Sequence, residues 1–379
     1  MVVWIGPLSS DMGYAEEGRA FVDVFDNGLG CRTLAIDVAV PERADQIFAL
    51  PRLDLHGAET DSLHIYHRYW PAEPSDPSAV NVWRTMFETA GSPLEFVECA
   101  QLYDYIWVPS AFNYDTFRLS GVPAGKLRIV HSPNPTWSSE LIGSIGRVAA
   151  DDGPSSDSRP FRFVSVMRWQ RRKGWDILLD AFKEAAENSQ ESFELVVRAT
   201  PFDVRDPEQI VRDTHGRTTW QHNNSHIRII TRRMPRTELI DLYASGDCFV
   251  LPSRGEGWGR PYVEAMLAGL PVICPDWSGC TEFISRQNSF LYSGNLSPVG
   301  REAEAEWSYY HEQSWLEPDV NDVVRAMSDA IRAGRPSVEK KSQVSRDIAR
   351  RFGRAAIAAQ VREVLASDGI DYLGSSGLR

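Results

Sequence analysis

The chain is poor in cysteine, has no long apolar run and carries no excess of positive charge. Its five cysteines (Cys31, Cys99, Cys248, Cys274, Cys280) are odd in number, scattered, and never spaced Cys-x-x-Cys. That argues against a disulfide framework and a cysteine zinc site, and it points to buried thiols in a reducing, cytoplasmic setting. No uncharged apolar run approaches the ~18 residues a membrane helix needs, so no integral membrane segment is expected. Met1-Val2-Val3-Trp4-Ile5-Gly6-Pro7 lacks a basic region and a cleavage site and reads as a first strand, not a leader. A net charge of −12 argues against nucleic acid as a partner. There is no internal repeat and no heptad run.

What is present is an alternation of buried strands and amphipathic helices over 379 residues, long enough for two α/β domains with parallel sheets. Expected strands of the first half include Trp4-Ile5-Gly6, Cys31 to Val38, Asn81 to Phe87, Tyr105 to Pro109 and Leu127 to Val130, with a helix from Glu16 to Phe25. Residues 132–160 are rich in Ser, Gly, Pro and Asp, and Asp151 to Ser158 within them has a linker composition. The expected division is a first domain over 1–145, a linker over 146–160, a second domain over 161–345 and a terminal helix within 346–379. In the second domain, strands are expected at Phe163 to Met167, Phe193 to Val197 and Ile227 to Ile230. Helices are expected at Trp175 to Glu187, Glu238 to Ala244, Asp322 to Arg332 and Val338 to Leu365. The acidity is uneven: residues 1–150 hold 10 Lys/Arg and 19 Asp/Glu, hence −9, which leaves −3 for the remainder.

The most informative stretch runs from Ser253 to Met266. Glu256 and Glu264 stand eight positions apart, with Gly257, Trp258, Gly259, Arg260 and Pro261 between them. Apolar runs on either side, Cys248 to Leu251 and Pro271 to Cys274, make this a strand, loop, helix and strand. Glycines let a ligand approach the backbone, and Pro261 suits the start of a helix. Amides at a helix start favour phosphate. Acceptor-only carboxylates suit hydroxyls, so Glu264 fits a ribose diol and Glu256 a sugar ring. The plainer alternative is an ordinary helix start, with Glu264 in its first turn compensating the dipole.

Arg168-Trp169-Gln170-Arg171-Arg172-Lys173-Gly174 is the second informative stretch, four cations in six positions after a strand. Strand ends of open α/β sheets are where ligands bind, and Arg and Lys match phosphate oxygens. A solvated basic loop is the alternative.

Together these stretches resemble the Glu-x7-Glu and Arg-x4-Lys-Gly elements of family 4 glycosyltransferases, closely over 160–292 and loosely over 1–135. The resemblance implies a GT-B fold, with two Rossmann-like domains facing across a cleft and a last helix that returns to the first domain. It implies a retaining transferase that moves a hexosyl group from a nucleotide diphosphate sugar, with no other cofactor. By the family's pattern, Glu256 contacts the donor sugar, Glu264 the ribose, and the amides from Gly257 to Pro261 the sugar and diphosphate. Arg168 and Lys173 neutralise the leaving diphosphate, and Arg171 and Arg172, which match no fixed position, are expected on the surface. No Asp-x-Asp triplet occurs, which agrees with a metal-independent front-face mechanism. Gly13 matches a diphosphate-loop glycine. Where many relatives have His-Asp, this chain has Phe87-Glu88, and Glu88 is the candidate for that role. His64 and His67 are expected one inward and one outward. The family binds its acceptor in the first domain. That half's acidity points to a soluble acceptor such as an amino sugar or aminocyclitol, not an anionic lipid. A nucleotide-sugar hydrolase or epimerase of the same fold and a catalytically silent binding subunit remain open. Base, sugar, acceptor and oligomeric state are not encoded legibly.

Overall fold

The computed structural model describes residues 1–10, 13–38, 62–76, 78–151, 159–201, 208–222 and 225–370, without side chains at 146–151. Asp11 and Met12 of the first loop, and the Asp152 to Ser158 part of the expected linker, lie outside these. The chain divides into two compact units: Met1–Thr136 with Arg350–Arg379, and Trp137–Ala349.

The first unit is built on six strands: β1 (Val2–Gly6), β2 (Thr33–Asp37), β3 (Leu63–His67), β4 (Val80–Arg84), β5 (Tyr105–Val108) and β6 (Leu127–Ile129). They form one parallel sheet in the order β2-β1-β3-β4-β5-β6. Helices α1 (Gly13–Asp23), α2 (Leu94–Gln101) and α3 (Ala111–Leu119) connect them. All five residues of β1 and of β3 are buried. A central parallel strand is covered on both faces, so its side chains do not alternate between water and core. This corrects the reading of the two histidines: His64 and His67 are both fully buried. Ser120 caps the α3 end, its Oγ donating to Thr116 O at 2.8 Å, and Asn113 on α3 brackets the Phe87 backbone, its Nδ2 donating to Phe87 O at 2.6 Å.

The second unit has seven strands in one sheet: β7 (Phe161–Trp169), β8 (Phe193–Pro201), β9 (Thr219–His222), β10 (Ser225–Ile230), β11 (Cys248–Val250), β12 (Val272–Pro275) and β13 (Ser289–Tyr292). Their order is β13-β12-β11-β7-β8-β10-β9, and only β9 is antiparallel. A separate hairpin pairs β14 (Gly294–Pro298) with β15 (Ser314–Pro318). The helices of this unit are α4 (Ser138–Asp151), α5 (Trp175–Glu187), α6 (Gln209–Asp213), α7 (Arg236–Ala244), α8 (Arg260–Leu267), α9 (Arg301–Glu306) and α10 (Val320–Ala333). In α5, Leu178, Ala181, Phe182, Ala185 and Ala186 are buried, the helical spacing that packs one face on the sheet.

Two boundaries differ from the expectation. The division falls between Thr136 and Trp137, ahead of the 146–160 stretch, and Ser138–Asp151 within the Ser/Gly-rich segment is the helix α4, packed on α7 and α8. The terminal helix is two helices, α11 (Val338–Arg351) and α12 (Arg354–Ser367), broken at Phe352-Gly353. α12 packs within the first unit. Gly28 lies so close to it that a methyl group there would stand 2.9 Å from Ala358 Cβ. Asp368 pairs with Arg128 of β6. Among the described residues no helix is long and apolar enough to cross a membrane.

Candidate functional site

β7 and β11 are neighbours at the centre of the second sheet, and the chain leaves them in opposite directions, to β8 on one side and β12 on the other. Such a switch point opens a crevice at the carboxyl ends of the two strands. The basic loop follows β7 and the two-carboxylate loop follows β11, so the topology brings together stretches some eighty residues apart.

The loops are joined through their backbones. Arg254 N–H donates to Arg172 O at 2.7 Å. Gly174 adopts φ +67°, and any side chain there would collide with the carbonyl oxygen of Pro252. Arg171 to Lys173 form a single 3-10 turn that directs Arg172 and Lys173 towards the β11 loop. Lys173 Nζ lies 2.5 Å from Glu256 Oε1, and Arg172 Nη1 lies 3.2 Å from the same oxygen. Arg172 also donates to Gly255 O at 2.6 Å. Burial opposes charge on Glu256, but Lys173 and Arg172 outweigh it and hold the carboxyl below its ordinary value. Arg172 is thus a correction to the surface position expected of it: it is buried and bonded to the central carboxylate. Arg171 is half-buried, between Asp176 (3.1 Å) and Glu302 (2.9 Å).

α8 starts as expected, with Gly259 at φ +93° ahead of it and Pro261 in its first turn. Glu264, however, is the fifth residue of the helix and stands beyond the first turn. Dipole compensation therefore does not account for it, because that effect fades within one turn. Its carboxylate accepts from Tyr243 Oη at 2.9 Å and lies 3.9 Å from Arg260. Burial and then Glu264 push the Tyr243 hydroxyl far up, so it remains a donor. Arg198, on β8, lies close enough to Tyr243 to act on it electrostatically. Arg168 is half-buried near the end of β7, in register with Thr200. Gly257 and Gly259 are enclosed, and the Trp258 ring packs against Phe283 with 5.3 Å between centroids. The Trp258 side chain is buried, 2% exposed, beneath the loop.

Sequence reasoning passed over Arg254. It is buried, donates to both Asp176 oxygens (2.9 and 2.8 Å) and both Glu317 oxygens (2.8 and 2.6 Å), and lies 5.7 Å from the Trp315 ring centroid. It fastens the β11 loop to α5 and to the β14–β15 hairpin. Glu306 was also missed. Its carboxylate accepts the Arg171 N–H at 3.0 Å, and burial pushes it up to about 7 despite Arg171 and Arg172. No sequence signal separates Arg171 from Arg172, and the partners of Arg254 lie 78 and 63 positions away.

The other two candidates, Gly13 and Glu88, belong to the first unit. Gly13 is exposed and begins α1; Glu88 follows β4 and is half-buried. They share one corner of that unit: the Tyr14 hydroxyl, raised first by burial, also feels Glu17 and Glu88. Beneath it Arg84 reaches Glu17 at 2.6 Å, and His67 stacks on Tyr14 at 4.8 Å.

Residues 150–306 match the family model for glycosyl transferases group 1. Among curated relatives, "Putative teichuronic acid biosynthesis glycosyltransferase TuaC" of Bacillus subtilis (strain 168) is 33% identical over 107 residues, 27% of this chain and 26% of that one. The match thus spans about a quarter of that relative's length. "Putative glycosyltransferase 45" of Sulfolobus islandicus filamentous virus is 22% identical over 271 residues, 70% of this chain and 68% of the other. Solved structures resemble it along nearly the whole chain, among them two glycosyltransferase-fold examples. HepE of Anabaena, in complex with UDP and glucose, superposes with a TM-score of 0.60 at 16% identity, over 97% of this chain and 100% of its own. A glycosyltransferase from Rickettsia africae ESF-5 gives 0.61 at 13% identity, over 99% of both chains. The fold is therefore GT-B.

Proposed function

We propose that this chain is a retaining glycosyltransferase that moves a hexosyl group from a nucleotide diphosphate sugar to a hydroxyl of a soluble acceptor. The observation that carries the reading is the buried Lys173–Glu256–Arg172 cluster, at the switch point of the unit that matches the group 1 model. A departing diphosphate needs cations, and a sugar ring needs acceptors for its hydroxyls. The cluster offers both within one hydrogen-bonded group. In this reading Arg168 and Lys173, joined by Arg172, take the diphosphate. Glu256 takes the sugar, Glu264 the ribose, and the amides from Gly257 to Pro261 line the path between them. The bond from the anomeric carbon to the phosphate oxygen breaks as the acceptor oxygen attacks the same face. The departing phosphate accepts the acceptor's proton. No side chain is asked to be a nucleophile, so catalysis rests on charge stabilisation and positioning. Gly13 completes the diphosphate contacts, and Glu88 stands in for the histidine of other members. An amino sugar or aminocyclitol fits the acidity of the first half.

The test is a thermal-shift panel of UDP-, GDP-, ADP- and dTDP-sugars, followed by product analysis by NMR. A donor at about 100 times its Kd adds roughly 2.7 kcal/mol, a readable shift. Lys173→Ala and Arg168→Ala should lower kcat more than they raise KM. Wild-type turnover in both variants, or an inverted anomer in the product, overturns the proposal. Free sugar formed without an acceptor identifies a hydrolase instead, and tight sedimentation with anionic liposomes overturns the soluble acceptor.

A further inference from the structure

Three described residues other than glycine have positive φ: His215, Ser278 and Glu312. His215 and Glu312 are exposed, whereas Ser278 is buried, 2% exposed. At φ +70°, ψ −168°, Ser278 occupies a region that is essentially glycine's own. A serine persists there only where the surroundings hold it, and such strain gathers at functional sites.

The surroundings are the backbone of Glu256. Ser278 Oγ accepts the Glu256 N–H at 3.2 Å. The next residue, Gly279, donates its own N–H to Glu256 O at 2.8 Å. Gly279 must be glycine, because a Cβ there would collide with the Gly257 carbonyl oxygen. The turn after β12 thus grips residue 256 at both ends of its backbone, while Lys173 and Arg172 grip its side chain. A glycine at 278 would relieve the strain but leave a buried N–H without its acceptor. The serine therefore has a local reason to be there, and that reason is the orientation of one peptide.

We propose that Ser278 is a positioning residue whose hydroxyl fixes the Glu256 peptide so that its carboxylate is aimed at the donor sugar. The proposal rests on the donor-site reading above for its catalytic consequence, but its geometric part does not depend on turnover.

The experiment compares Ser278→Gly and Ser278→Ala with wild type in three measurements. Both variants lack the hydroxyl and differ only in the strain that a Cβ imposes. Ser278→Gly should therefore melt above Ser278→Ala by about 2–8 °C. Hydrogen exchange of the peptide covering residues 254–262 should quicken about tenfold or more in both, since one protecting hydrogen bond is gone. With the donor that turns over, kcat should fall about tenfold in both, with KM changed less than about threefold. A purely structural serine predicts the opposite for the relaxed variant: Ser278→Gly would keep wild-type kcat and wild-type exchange, and that result overturns the proposal. If the wild-type protein transfers no sugar from any donor in the panel, the glycosyltransferase reading fails. The exchange comparison then still decides the role of Ser278, and unchanged protection of 254–262 sinks it.

Discussion

The ion pair between Lys173 and Glu256 can be tested without knowing the substrate. The two groups are 2.5 Å apart, with Arg172 at 3.2 Å from the same oxygen, and all three side chains are at most 10% exposed. Lys173→Met removes one of two cations, and Glu256 keeps Arg172. The expected loss is about 2–3 kcal/mol, near the worth of one charged hydrogen bond. Glu256→Gln is worse, because two cations then face each other with no anion between them. Its expected cost is about 3–5 kcal/mol, that of a buried pair broken at one side. The double variant removes both the excess cation and the anion, so it should cost less than the sum of the two singles by about 1–3 kcal/mol. Denaturant melts of the four proteins, followed by circular dichroism, give this coupling directly. Pyrophosphate adds a second reading: it supplies the missing anion and should stabilise Glu256→Gln more than wild type. A coupling within about 0.5 kcal/mol of zero refutes the argument that this pair organises the two loops.

Two further perturbations follow from neighbouring geometry. Gly174→Ala should destabilise by at least about 1–2 kcal/mol from its left-handed backbone alone, and it should abolish donor-induced thermal shifts by pushing the basic turn off Pro252; a variant that melts and binds like wild type contradicts this. Glu306, pushed up from 4.5 to about 7 by burial, binds its proton more tightly in the folded than in the unfolded chain. Its contribution therefore lowers stability as pH rises between those values, by up to about 3 kcal/mol. Glu306→Gln should gain on wild type between melts at pH 5 and pH 8, and an unchanged difference across that range refutes the assignment.

Much of the second unit was legible because its signals are local. Strands such as Phe163 to Met167 are apolar runs, α5 announces itself by spacing, and Gly259-Arg260-Pro261 spells a helix start. The first unit was harder. Its α2 and α3 carry weak periodicity, and full burial of β3 erased the alternation on which the histidine reading relied. Composition misled at 146–151, expected as linker, which is the last part of the helix α4 packed on α7 and α8.

By itself, the sequence singled out the residues proposed to carry the chemistry: two carboxylates around glycines, and a run of cations after a strand. Those types and spacings are local properties, set by what each loop and helix start can accommodate. Tertiary structure decided which of them meet. Arg171 and Arg172 are adjacent in the chain, yet only Arg172 reaches Glu256, because one 3-10 turn directs their side chains differently. The partners of Arg254 on α5 and β15, and the contact of the Ser278 turn after β12 with the loop after β11, depend on how these elements lie side by side. That arrangement is a long-range property of the fold, and no short stretch of sequence carries it.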